Sequence, residues 1–148
     1  PQGRSRRTAE LKTLIEIYQE IVSETHQQVP ILIGGDFNGN ASPIETEPEF
    51  LPLYQNTDLH ECLELLKVPP DHRYTQITYD LHGNPRPVQI DYFFVNQLLC
   101  KNVEQAFVYR FKDESGMELP PPRNPEERNI LPSDHYPVVL KLKNILTF

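Results

Sequence analysis

From Thr8 to His26 the apolar residues Leu11, Leu14, Ile15, Tyr18, Ile21 and Val22 recur at intervals of three and four, on one side of an amphipathic helix. Ser5 or Thr8 stands where the N-cap of that helix is needed, and Glu10, Lys12, Glu16 and Glu20 make its solvated side. Pro30 ends the pattern. Ile31-Leu32-Ile33, bounded by Pro30 and Gly34-Gly35, reads as a strand buried on both faces. Ser42-Pro43 has the form of an N-cap followed by proline at the first helical position. A short, proline-interrupted helix is therefore expected over 43–55, and another over Asp58 to Leu66. Tyr74 to Tyr79 is β-branched and aromatic, hence strand. His82 to Pro85 is a turn, and Val88 to Val95 and Val103 to Tyr109 are two further strands. Residues 112–132 read as one long polar loop. In Tyr136 to Leu142, Val138, Leu140 and Leu142 alternate with Val139 and Lys141, a strand with one wetter face. The mixture predicts α/β or α+β with a mixed, largely antiparallel β-sheet.

Composition narrows this picture only a little. The 148 residues suffice for one domain with a core, and 38% hydrophobic against 24% charged residues describes a globular chain, not a disordered one. No apolar run approaches the roughly 18–20 residues of a membrane helix, and no apolar signal core follows the basic segment at 1–7. A formal charge of −7 disfavours general attraction to a polyanion. The 15 prolines cluster at 43–52, 69–70, 85–87, 120–125 and 132–137, which marks those stretches as loops. Cys62 and Cys100 sit among apolar neighbours. Two free thiols fit a reducing compartment, so the cytoplasm is the expected location.

Three short segments carry candidate chemistry. Gly34-Gly35-Asp36-Phe37-Asn38 follows a strand, and its glycines permit a sharp turn that brings Asp36 and Asn38 to the strand's C-terminal end. A carboxylate there can orient water or ligate a metal, and an Asn amide can donate to a phosphoryl oxygen. The same residue types also make an ordinary turn. Gln89-Ile90-Asp91-Tyr92-Phe93-Phe94-Val95 places one acid in an apolar strand, costly unless the acid is paired. An edge position or a structural pairing with Arg86 would also account for it. In Ser133-Asp134-His135-Tyr136-Pro137, adjacent acid and imidazole point to different sides, so one can hold a metal while the other handles a proton; a solvated turn is the alternative. His26, His60, His72 and His82 lack metal-ligand spacing and read as surface or structural. The chain has no Cys cluster, phosphate loop or nucleophile elbow. Asp134 and His135, as immediate neighbours of Ser133, cannot easily fold back into a triad with it.

Gly-Asp-Phe-Asn at 35–38, Ile-Asp-Tyr at 90–92 and Ser-Asp-His at 133–135, in that order, resemble the last three signatures of the endonuclease/exonuclease/phosphatase family, the deoxyribonuclease I-like fold. The helix leading into Ile31 to Gly35 is similar as well. The resemblance implies a divalent-metal-dependent phosphoester hydrolase: a phosphodiesterase, nuclease or phosphatase. Asp36 would position the attacking water, Asn38 would hold a phosphoryl oxygen, and Asp91 would orient His135. His135 would transfer the proton or face the phosphate, and Asp134 would bind Mg²⁺ or Mn²⁺. Implied substrates are a nucleic acid, nucleotide, inositol phosphate or phospholipid head group. Lys112, Arg123 and Arg128 are candidate contacts to them, although a solvated variable loop explains these residues better.

Family members are about twice as long and pack two α/β halves sheet to sheet. Residues 1–148 therefore resemble the C-terminal half, with helices on one face, of a four-layer α/β sandwich. The N-terminal half, with its metal-binding Glu, has no counterpart here. The expectation is a sheet face in need of that half or of a second chain, and weak or no activity in this chain alone. The alternative is a non-catalytic binding module that retains the fold.

Overall fold

The computed structural model describes residues 2–26 and 28–145. Helix α1 runs from Gln2 to Glu24, six residues earlier in its start than the apolar periodicity predicts. The extra turns have a reason in packing: Arg4 and Arg7 reach inward to the buried Glu49. Ser5 and Thr8 are consequently inside the helix, and Thr8 donates to the Arg4 carbonyl instead of capping. Leu11, Ile15 and Tyr18 are buried, whereas Ile21 is partly exposed.

Strand β1 (Leu32–Asp36) pairs with β5 (Asp91–Val95), and β5 also pairs with the short β2 (His60–Glu61). The hairpin β3 (Gln76–Tyr79) and β4 (Pro85–Val88) is a second sheet; β6 (Val103–Val108) and β7 (Val138–Leu142) make a third. Every strand pair among the described residues is antiparallel. Tyr92 and Phe94 point to one side of β5, where they join Leu11, Ile15, Tyr18, Phe50 and Leu53 in a core beneath α1 and α2 (Leu51–Gln55). Val95 and Phe93 point to the other side, toward Ile77, Ala106, Val108 and Tyr136. Phe93 lies so close over Gly34 that a Cβ there would be 2.4 Å from its ring. Burying one sheet between two apolar clusters is how an alternating strand such as β5 satisfies both its faces.

Several expected elements differ. β1 is not buried on both faces: Leu32 is 45% exposed, and Phe107 and Tyr109 on and beyond β6 are also open to solvent. The helix expected over 43–55 shrinks to a 3-10 turn at Pro48–Phe50 and α2, because Pro48 and Pro52 fit only first-turn positions. The helix expected over Asp58 to Leu66 is β2 followed by α3 (Cys62–Leu65), whose start is fixed by Glu61 accepting from the Leu63 and Glu64 backbone N–H groups. Burial pushes the Glu61 carboxyl up, and those two bonds offset part of the rise. The strand expected over Val88 to Val95 breaks at 89–90 into β4 and β5, which belong to different sheets. Pro85 and Pro87 lie within β4, where an edge strand tolerates missing N–H groups. The loop at 112–132 contains α4 (Pro125–Ile130), capped by Asn124 accepting from the Glu127 backbone at 2.8 Å.

Candidate functional site

The last register pair of the β1–β5 ladder is Asp36 opposite Asp91, so the two carboxylates leave the same edge on the same face. The chain then turns sharply. Asp36 Oδ1 accepts from the Asn38 backbone N–H at 2.7 Å, and Asn38 adopts a left-handed φ of 51°, a conformation asparagine tolerates. His135 arrives from the segment before β7. The Tyr136 N–H donates to the Thr75 carbonyl at 2.7 Å, and His135 forms an isolated bridge with Gln76. Its Nδ1 lies 2.9 Å from Asp91 Oδ2. Ligand atoms of Asp36, Asp91 and His135 all lie within 4.8 Å of one another.

The remaining sequence candidates are placed less simply. Asn38 is exposed beside Asp36 and lines a groove of about 890 Å³ with Gln76, Tyr74 and Gln89. Asp134 and His135, expected to point apart, converge instead on one amide: Gln76 Nε2 is 2.9 Å from His135 Nε2 and 3.3 Å from Asp134 Oδ2. Asp134 thus faces Gln76 and is not a member of the Asp36–Asp91–His135 group. Ser133 accepts from the His135 backbone N–H, a turn contact. Arg86 pairs with Asp80, not with Asp91. Arg123 pairs with Glu127, and Arg128 lies over the Tyr79 ring, so both are engaged within their own region.

Two contributors escaped the sequence reading. Thr75, fully buried, accepts at its hydroxyl oxygen from the backbone N–H groups of Ile90 and Asp91 and so fixes the entry to β5. Gln76 closes the imidazole from its other side. The one signal in the sequence is a long amide in an otherwise β-branched and aromatic run at 74–79. A second cavity, about 350 Å³, opens over Asp36, Asp91 and His135 and is walled by Phe93, Phe111 and Tyr136. A further depression, about 1060 Å³, surrounds Tyr18, Asn56 and Asn96, and none of the five candidates lines it.

His60 contacts Gln97, and His72 lies exposed beside Asp71. Both cysteines are free, and burial raises both thiols, Cys62 to about 12, which makes them poor nucleophiles. No helix among the described residues is long and apolar enough to cross a membrane.

The donor set suits a hard cation. Asp91 Oδ2 and Asp36 Oδ1 are occupied, which leaves Asp36 Oδ2 and Asp91 Oδ1 without a hydrogen bond among the described residues, and each of the two carboxylates offers an oxygen to the group that lies within 4.8 Å. The imidazole nitrogens already have partners in Asp91 and Gln76 and are less available as ligands.

No family model matches the chain, and no curated protein matches it. Among solved structures, an endonuclease/exonuclease/phosphatase family protein from Bacteroides thetaiotaomicron is 23% identical with a TM-score of 0.45. The mannosyl-6-phosphatase Bt3783 of Bacteroides thetaiotaomicron VPI-5482 is 23% identical with a TM-score of 0.46. Each likeness covers 86% of this chain and 43% of the other, so the chain spans less than half the length of either.

Proposed function

We propose that the chain is the C-terminal half of an endonuclease/exonuclease/phosphatase catalytic domain and contributes one wall of a divalent-metal-dependent phosphoester hydrolase site. The observation that carries this reading is the convergence of Asp36, Asp91 and His135 from three distant segments onto one open edge. Asp91 accepts from His135 Nδ1–H and so fixes the tautomer, which leaves Nε2 to take or return a proton. Asp36 orients a water molecule, and the Asn38 amide donates to a phosphoryl oxygen. The carboxylates of Asp36 and Asp91 would hold Mg²⁺ or Mn²⁺, a role the sequence resemblance gave to Asp134. A bound cation supplies charge stabilisation to the phosphoryl group. The substrate is a phosphorylated compound of the nucleic acid, nucleotide, inositol phosphate or phospholipid type. The missing half or a second chain would cover Leu32 and its neighbours. The cytoplasm is the compartment proposed, on the strength of two free thiols.

Hydrolysis of bis-p-nitrophenyl phosphate and p-nitrophenyl phosphate with Mg²⁺ or Mn²⁺ tests the reading, in this chain and in any longer polypeptide that contains it. The expectation is weak turnover in the chain alone, stronger turnover in the longer protein, and loss of both in His135→Ala. Phosphate binding with no turnover in either protein is the outcome for a non-catalytic module.

A further inference from the structure

Gln76 touches both members of the Asp134–His135 pair, although nothing in the three motifs includes it. Its position is set by backbone: it opens β3, bridges to His135, and follows Thr75, which holds both Tyr136 and Asp91 through hydrogen bonds. Its amide then faces a carboxylate on one side and an imidazole nitrogen on the other. We propose that Gln76, oriented by Asp134, is a positioning residue that holds the His135 ring, as its Nδ1–H tautomer, between the Gln76 amide and Asp91.

The direction of every hydrogen in this row follows from its two ends. A carboxylate only accepts, so the group that Gln76 turns toward Asp134 is NH₂ and not C=O. The same nitrogen lies 2.9 Å from His135 Nε2, and an N–H aimed there requires a lone pair on the ring. At the far side Asp91 also only accepts, so Nδ1 carries the ring proton. Asp134 thereby acts on the imidazole at second hand, through the amide. Gln76 also lines the 890 Å³ groove together with Asn38. The geometry stands by itself; its catalytic meaning rests on the phosphoester-hydrolase reading.

Nitrogen-15 NMR of the histidine side chains in the 148-residue chain, at neutral pH without added metal, reads the tautomer directly. Wild type is expected to give His135 as the Nδ1–H tautomer with a hydrogen-bonded, pyridine-like Nε2. In Gln76→Met the Nε2 signal is expected to move to the position of an unbonded nitrogen. Asp134→Ala, a change at an exposed side chain, is expected to move it part of the way and serves if Gln76→Met fails to fold. An Nε2–H tautomer in wild type, or a signature unchanged in the variants, overturns the proposal. Where turnover is measurable, Gln76→Met is expected to lower kcat about tenfold with KM unchanged, a fraction of a full acid–base contribution. Absence of turnover on every phosphoester, in this chain and in any longer polypeptide containing it, removes the hydrolase reading and leaves the tautomer result to decide on Gln76.

Discussion

Two carboxylate clusters lie on either side of the turn after β1, and they are built on opposite principles. Glu49 has a side chain only 2% exposed and is taken by Arg7 at 2.7 Å and Arg4 at 3.0 Å, with Glu47 also within reach of Arg7. Asp36 and Asp91 share a corner with His135 and have no Lys or Arg ion-pair partner among the described residues. The first cluster carries its own counterions, as a structural charge must when it leaves water. The second keeps contact with water through partial exposure and leaves acceptor oxygens uncommitted, the condition for binding something from outside.

That contrast can be broken most directly at His135. His135→Ala is expected to lower phosphoester hydrolysis by about 10²–10⁴ while costing only about 1 kcal/mol of unfolding free energy, through the lost bonds to Asp91 and Gln76. A matching loss of stability in denaturant titrations would make the residue structural instead. Next in size is Glu49→Gln, which leaves Arg4 without a charged acceptor and Arg7 with only the more distant Glu47, and is expected to cost about 2 kcal/mol of stability. It is expected to leave hydrolysis unaltered, and activity measured below the unfolding midpoint checks this.

The Glu49 variant also has a pH signature. Burial alone would raise the Glu49 carboxyl, but the Arg7 hydrogen bond, the backbone N–H and the Arg4 charge outweigh it and hold it below the usual carboxylate range. Its contribution is therefore complete above an unfolded pKa of about 4.3 and is lost as pH falls through the lower folded value. Urea midpoints measured across the acid range should fall less steeply in Glu49→Gln than in wild type.

Gly34→Ala introduces no charge at all but drives a methyl into the Phe93 ring beside Asp91. About 1–2 kcal/mol of destabilisation is expected, read as a lowered midpoint in urea. The smallest effect on stability belongs to Asp36→Asn: within about 0.5 kcal/mol of wild type, or slightly higher as repulsion from Asp91 is relieved. Binding of Mn²⁺ measured by calorimetry, in contrast, should weaken by more than it does in Asp134→Ala.

The sequence pattern made part of this site readable because its information is local. Leu11, Ile15 and Tyr18 recur at helical spacing and are buried as expected. Asp91 stood out as an acid that interrupts an apolar strand, and His135 as an imidazole beside an acid where the polar loop meets the last strand, and the two do meet. What stayed hidden depends on partners remote in sequence. Gln76 gains meaning only when β3 is laid against the segment before β7, and Thr75 only when its hydroxyl meets the start of β5. The early start of α1 depends on Glu49, some forty residues further on. Prolines in β4 contradict a local rule whose exception is set by edge position, and edge position belongs to the assembled sheet.

Under the proposed function, Asp36, Asp91 and His135 form one cation-dependent site. Titrating Mn²⁺ into isotope-labelled chain and following paramagnetic broadening of NMR signals addresses that claim without requiring turnover. Broadening is expected first at Asp36, Asp91, Gln76 and His135, with its loss at that corner in Asp36→Asn. Broadening confined to the other acidic surfaces, or none at this corner at millimolar Mn²⁺, would contradict it.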